Sequence, residues 1–485
     1  MALTPLVLTL ATATFIGSAG RGLARPPVRS AIAQPARLYQ AGAQHSTVRC
    51  SADASSQPSA KASQAWGPVI QGPFGRSRRA TVRRELVPGR MWSFEQVQGL
   101  LYVHVPVRMT AIRLDEGGLL LYSAVAPTAE CLSLLSDLEE QVGLVKHIVL
   151  PSLAIEHKAY AADFGRARPS ATVWVVPDQF TFPIALPLSL QGFPSGVRPL
   201  PLRPSTQELS EIPWAQQLPY RVLGSLKEDV GAFQELVMCD LPTRTLLCCD
   251  LLVSVPESPP EILPYNDVRA LLYHARNLPA DRIEDSPAAR IEGWQKICLF
   301  ALYFESSALD VPISPDGSLS RAIEFFRSAF PKEVPAEMRR LGWAGFIAWR
   351  WKDEWPTVFE RLRAGGRPIV PPILQVAVLN REPQRVLNFV DEVSGLWNFD
   401  KIVPCHFDAP ISGGRTAWSA AFDFLRPASK RSPNSSPFQQ IARLFQGDAA
   451  RPATQLLPEG DLAFLRKFEA SLVEAGSLRP AAPLD

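Results

Sequence analysis

Three apolar stretches of this 485-residue chain run straight into side chains that can ligate a metal. His147-Ile-Val-Leu150 leads through Pro151-Ser152-Leu153-Ala154-Ile155 to Glu156 and His157. Thr245-Leu-Leu-Cys-Cys249 leads to Asp250, and Lys401-Ile-Val-Pro-Cys405 leads to His406. Rigid strands aim side chains from distant positions into one cleft, as a metal requires. Two imidazoles and two carboxylates make a donor set for one divalent cation, zinc, iron or manganese. Glu156, His157, Asp250 and His406 are therefore the candidate ligands. If Asp250 only hydrogen-bonds, a coordination position stays open for water. The cation would lower the pKa of that water toward neutrality and polarise a carbonyl or phosphoryl oxygen. The competing reading holds no metal: Glu156 starts a helix, the imidazoles satisfy buried hydrogen bonds and Asp250 caps a loop.

Other polar residues point less clearly to chemistry. His104 and His147 lie within or beside strands and read as packing residues. His274, in Leu271-Leu-Tyr-His-Ala-Arg276, sits on a predicted helix from which it could reach the site. Lys158 either holds an anionic substrate or is a solvated surface lysine. The chain has no Gly-rich phosphate loop, no G-x-S-x-G elbow and no H-E-x-x-H motif, so those enzyme classes fall away. Its seven cysteines form no C-x-x-C pair, which argues against a disulfide framework or zinc ribbon and fits a reduced compartment. Adjacent Cys248 and Cys249 read as small core residues.

The elements that must position these groups alternate in type. Residues 99–125 read as strands around an Asp115-Glu-Gly-Gly118 turn, with a break at Pro106. Leu132, Leu135 and Leu138 share a helical face after Pro127-Thr128, and strand His147–Leu150 follows. A helix from about Glu156 and a strand over Ala171–Val176 continue the alternation, the signature of α/β layering. Nine prolines between Pro177 and Tyr220 predict a long ordered loop. Glu235–Met238 and Thr245–Asp250 read as paired strands, the second apolar enough to be central. Helical spacing marks Ala322, Phe325, Phe326 and Ala329, and again Val386, Phe389, Val390 and Val393. Around Gly342–Trp355 the tryptophans Trp343, Trp351 and Trp355 share a face with Ile347 if the segment is helical. The face either packs the helical region onto the body or forms a partner or peripheral membrane surface.

Charge divides the chain. Residues 1–84 carry 11 Lys and Arg and one acid, Asp53, a surplus of +10 that leaves the rest of a +3 chain at −7. An acidic body does not suit nucleic acid, whose phosphates demand a basic surface. The front segment, rich in Ala, Ser, Arg and Pro, has the composition of a processed targeting peptide and linker leading to a plastid, most simply its stroma. The alternative is a flexible arm that is never removed. A mean hydropathy of +0.01 rules out a polytopic membrane protein, and the mature chain is expected to have no transmembrane segment.

The order of hairpin, strand with a terminal Glu-His pair, strand ending in Asp and late strand ending in His resembles the metallo-β-lactamase fold. More closely, Arg108-Met-Thr110, Gly117-Gly118, Ala126-Pro-Thr128, Glu156-His-Lys158, Gln179, Phe182-Pro183 and Cys405-His-Phe-Asp408 resemble a plastid and cyanobacterial family, domain of unknown function 4336, related to that fold. The resemblance spans roughly residues 85–425 and implies an α/β, four-layer αββα sandwich at 85–426. A large helical insertion falls at about 255–370, and a C-terminal helical appendage at 427–485.

The superfamily motif T-H-x-H-x-D-H aligns with Pro151–His157. The resemblance therefore implies that the three histidines of one metal site fall on Ser152, Ala154 and Cys239, which abolishes it, whereas the other site keeps Glu156, His157, Asp250 and His406. The implied protein is a degenerate plastid metallo-hydrolase-like protein with at most one metal. It would act on an ester, thioester or phosphoester of an unidentified small molecule, with a water on the metal as nucleophile and no catalytic side chain assigned. The alternative is a non-catalytic plastid binding or scaffold protein on the same fold, with a protein partner and no metal.

Overall fold

The computed structural model describes residues 70–71, 80–100, 102–179, 186–228, 231–278, 280–311, 334–341, 349–426 and 456–482. Two sheets form the centre. The first has eight strands: β1 (Ile70–Gln71), β2 (Val82–Val87), β3 (Met91–Leu100), β4 (Val103–Arg113), β5 (Leu119–Tyr122), β6 (Val145–Leu150), β7 (Thr172–Val175) and β8 (Arg198–Pro199). Their order is β1-β3-β4-β5-β6-β7-β8, with β2 beside the first half of β3. Pairing is antiparallel up to β5 and parallel from β5 to β8. The second sheet takes β9 (Tyr220–Glu228), β10 (Gly231–Asp240), β11 (Thr245–Leu247), β14 (Lys401–Val403) and β15 (Ile411–Ser412) in the order β15-β14-β11-β10-β9. A small hairpin, β12 (Leu309–Asp310) with β13 (Arg350–Trp351), lies apart.

Three apolar cores separate four layers, as the strand alternation requires. Ile112, Leu120, Tyr122 and Val149 of the first sheet meet Tyr220, Leu236, Met238 and Leu247 of the second. On the outer face of the first sheet, Leu119, Leu121, Ile148 and Leu150 pack on Cys131, Leu135 and Leu138 of the helix Ala129–Val142. That helix starts where Thr128 accepts the Cys131 N–H at 3.2 Å. On the far side, Val237, Leu246 and Ile402 pack on Val386, Phe389, Val390 and Val393 of the helix Pro383–Leu396. The order is αββα, as expected from the sequence.

The expected break at Pro106 does not occur, because β4 runs unbroken from Val103 to Arg113. The Pro106 carbonyl points to His406, away from β3, and in a strand the N and O of one residue share a side. Its missing N–H therefore removes no ladder bond. Gly118 sits at φ +83, and a Cβ there would lie 2.6 Å from the Leu144 carbonyl oxygen, so the turn into β5 requires glycine.

Between β11 and β14 the insertion is mainly helical. The helix Pro287–Tyr303 packs on Arg269–Ala275 so closely that a Cβ at Gly293 would meet the Leu271 carbonyl oxygen at 1.8 Å. The expected helix over Ala322–Ala329 lies outside the described residues, as do Trp343 and Ile347. Trp351 belongs to β13 and Trp355 begins the helix Trp355–Arg363, so the segment is not one helix. Trp351 is buried in the core, and Trp349 and Trp355 pack against it. The ring contacts of these three tryptophans, with Tyr273, His274, Phe300 and Lys296, lie within the insertion itself. Near the C-terminus, the helix Glu459–Glu474 buries Leu462 and Leu465, while Asp461 accepts two bonds from Arg361 at 2.9 Å.

His147 packs between layers, its Nδ1 accepting from Trp174 Nε1 at 3.2 Å. Burial pushes its pKa down to about 4. A depressed base withholds a proton that the unfolded chain takes up, so its stabilising contribution is full above about pH 6.5 and is lost as pH falls toward 4. His147→Phe should flatten the acid limb of the stability profile in that window, as read by urea midpoints at several pH values. An unchanged acid limb would contradict the assignment.

Candidate metal centre

The site forms where the two sheets are stitched together at one edge. β11 and β14 are parallel, with Leu247 opposite Val403. Asp250 and His406 each lie three residues further on, and the bond from Cys405 N–H to Cys249 O at 3.2 Å carries the alignment toward them. From the first sheet, Val107 of β4 bridges to His406, and the Arg108 N–H donates to Cys405 O at 2.7 Å. At the end of β6, Leu236 N–H donates to Pro151 O at 2.7 Å and Ser152 bridges to Glu235 of β10. The Ser152 hydroxyl then accepts the Ala154 N–H at 3.0 Å, and the short helix Ile155–Lys158 turns Glu156 and His157 inward.

One donor atom from each of Glu156, His157, Asp250 and His406 lies within 4.8 Å of all the others. Three of them form a tighter group. His157 Nε2 and His406 Nε2 are each 3.3 Å from Asp250 Oδ1 and 3.3 Å from one another. Metal–ligand bonds of about 2.0–2.1 Å at tetrahedral angles require donor–donor edges of about 3.3–3.4 Å, so this triangle has the dimensions of a coordination face. The extra methylene of Glu156, compared with the aspartate of the superfamily motif, leaves its carboxylate within reach.

The second nitrogens fix the rings. His406 Nδ1 lies 2.8 Å from Pro106 O, and a carbonyl only accepts, so Nδ1 carries the proton and Nε2 directs its lone pair into the site. Burial lowers the His406 pKa, which keeps this neutral form. His157 Nδ1 meets Ser123 Oγ at 2.7 Å. Burial opposes charge on His157, but the adjacent Asp250 carboxylate prevails and holds it up at about 9. Burial would raise Asp250, while the neighbouring His157 imidazole favours its ionised form. Without a cation, a proton therefore occupies the triangle, and an entering cation would displace it.

Ser123 adopts φ +60 and Phe407, next to His406, φ +56, a region that costs bulky residues about 1–3 kcal/mol. Such strain held beside a convergent donor set marks a constrained site. Ser123→Ala should weaken metal binding by about 10–100-fold with little change in fold, because it frees the far side of a ligating imidazole. Competition with a chelator of known affinity measures this, and an unchanged affinity would remove Ser123 from the site.

Two supporting residues were not legible as such in the sequence. Glu235, fully buried within an apolar strand, accepts the N–H groups of Cys249 at 2.7 Å, Asp250 at 2.7 Å and Leu251 at 3.0 Å. Burial and the Asp250 charge push its pKa up to about 8 despite those donors. The only signal was an acid in the run Phe233-Gln-Glu-Leu-Val237. Glu235, rather than Cys239, is the β10 residue at the site. Cys239 pairs with Leu246 four residues along the strand, about 13 Å away by strand rise, and faces the helical core. The second is Arg108, whose guanidinium donates to Pro404 O at 2.6 Å and Phe407 O at 2.5 Å, one on each side of His406.

The remaining sequence candidates lie elsewhere. His274 stacks on Trp349 at 5.8 Å within the helical insertion and joins no donor group among the described residues. His104 is buried beside Tyr102. Lys158 donates to Gln191 Oε1 at 2.6 Å, and burial lowers its pKa to about 8. Among the described residues no helix is long and apolar enough to cross a membrane.

A family model described as domain of unknown function (DUF4336) matches residues 88–424. None of the curated protein sequences matches the chain. Among solved structures, the DIM-1 metallo-β-lactamase exposed to ceftazidime is 9% identical, covering 70% of this chain and 96% of that one at a TM-score of 0.32. A metallo-β-lactamase from Pontibacter korlensis is 10% identical over 37% of this chain and 76% of that one, at 0.27. A flavoprotein from Thermotoga maritima is 8% identical over 71% of this chain and 62% of that one, at 0.32. Likeness at these scores transfers no activity.

Proposed function

The chain belongs to the DUF4336 family, and on that premise we propose that it is a plastid metal-binding protein, a degenerate metallo-hydrolase-like sandwich that keeps one cation. One observation carries the reading: three donor atoms from three chain segments stand 3.3 Å apart, pairwise, at the edge of the sandwich. Glu156 supplies a fourth donor. His406 presents a lone pair fixed by Pro106, Asp250 supplies the negative charge, and His157 exchanges a proton for the cation. At the positions of the other superfamily site, Ser152 is engaged by the Ala154 N–H, Ala154 has no donor and Cys239 lies away, all of which favours one cation over two.

When bound, the cation would supply Lewis acidity toward an ester, thioester or phosphoester. A second reading, a non-catalytic binding or scaffold protein on the same fold, draws support from burial. None of the four donors is more than 3% exposed, so a substrate would need an opening to reach them.

Metal analysis of the purified full chain tests the proposal. One zinc, iron or manganese per chain is expected, lost in the His157→Ala, His406→Ala double variant. Metal-free wild-type protein whose stability is indifferent to those substitutions would refute it. Turnover of a panel of aryl esters, thioesters and phosphoesters by the loaded wild type but not the double variant would favour the hydrolase; metal without turnover would favour the scaffold. The plastid assignment rests on the composition of residues 1–84, most of which lie outside the described residues. Sequencing the mature N-terminus tests it, and a chain beginning at Met1 or Ala2 would refute it.

A further inference from the structure

We infer that the site has a second, softer donor set: Cys249, Cys405 and His157 bind a thiophilic closed-shell cation such as Zn²⁺, Cd²⁺ or Cu⁺. The two sulfurs and a ring nitrogen of His157 lie within 4.8 Å of one another, and all three residues are buried. Strand geometry makes the convergence specific. Cys249 and Cys405 lie side by side on the parallel β11–β14 pair, two residues beyond Leu247 and Val403, and both face the core between the sheets. Alternation sends Cys248, and Cys239 on β10, to the opposite helical core.

Ser123 Oγ meets His157 Nδ1 at 2.7 Å, the ring nitrogen that does not face Asp250 and His406. The six described cysteines are all free. Two sulfurs and a nitrogen are three of the four ligands of a tetrahedral soft-metal site. Binding a divalent cation displaces the two thiol protons, so the thiolates balance its charge with no redox change.

The inference shares His157 with the reading above but no other ligand, and cobalt(II) separates the two. The full chain is stripped of metal and loaded with Co²⁺ under a non-thiol reductant. A thiolate-to-cobalt charge-transfer band in the near ultraviolet is expected beside the visible ligand-field bands. Cys249→Ser, Cys405→Ser should abolish it and leave the visible bands in place. Each single substitution should remove about half its intensity, and a Cys131→Ser, Cys298→Ser control should keep it whole. Visible bands with no near-ultraviolet band in the wild type would overturn the soft site and leave the nitrogen and oxygen site standing. Absence of any cobalt spectrum would defeat both. If the double variant fails to fold, the wild-type band and the two single variants still decide the matter.

Discussion

Arg108→Met should lower the stability of the protein by about 3–5 kcal/mol, the cost of breaking a buried ion pair from one side. Arg108 is 1% exposed and its Nη2 lies 2.9 Å from Glu95 Oε1, while its remaining donors hold Pro404 O and Phe407 O. Burial alone would raise the Glu95 pKa, but Arg108 and Arg84 keep it below the usual range, so the folded state contains a buried carboxylate that needs its cation. Removing Arg108 leaves Glu95 only the half-exposed Arg84 and two carbonyls without their donor. Methionine keeps most of the apolar stem, so lost charge and hydrogen bonding dominate the measured difference. The segment 404–407 also loses its clamp, and metal affinity should fall with stability. Urea unfolding at pH 7 measures the first effect and chelator competition the second. A variant within about 1 kcal/mol of wild type would show that the clamp contributes nothing beyond an ordinary surface substitution.

The Glu235→Leu variant is expected to be similarly damaging, for a different reason. Three N–H groups, those of Cys249, Asp250 and Leu251, all donate to this one carboxylate. Each buried donor left without a partner costs about 1–3 kcal/mol, and leucine offers no acceptor. Removing a carboxyl group that is costly to bury offsets part of the loss, so the net is on the order of 3–6 kcal/mol. Glu235→Gln keeps an acceptor and should recover more than half of it. Loss of metal binding in the leucine variant with recovery in the glutamine variant would place Glu235 as a positioning residue for the Asp250 loop. Equal behaviour of the two variants would contradict that role.

Much of the architecture can be read one element at a time. Leu135 and Leu138 at helical spacing behind Thr128, the short apolar runs of β6 and β7, and the valines of Pro383–Leu396 each record a local preference and buried surface that pattern reveals directly. The αββα order follows from those faces, because the helices have one apolar side to bury and the central strands two. Pro106 misled because sequence alone does not tell which side of a strand lacks a partner.

The chain alone also determined which residue types stand at the ends of β6, β11 and β14. Only the tertiary structure decided that they meet. His157 and His406 are 249 residues apart, and their contact depends on the register of β11 against β14 and on the bridges from β4 and β10. The same pairings turn Glu235 under the Asp250 loop, place Arg108 astride His406 and set Cys249 beside Cys405. Local sequence fixes how a segment folds and which way it faces. Which distant segment it faces is settled by the packing of whole sheets, and no single stretch of residues carries that information.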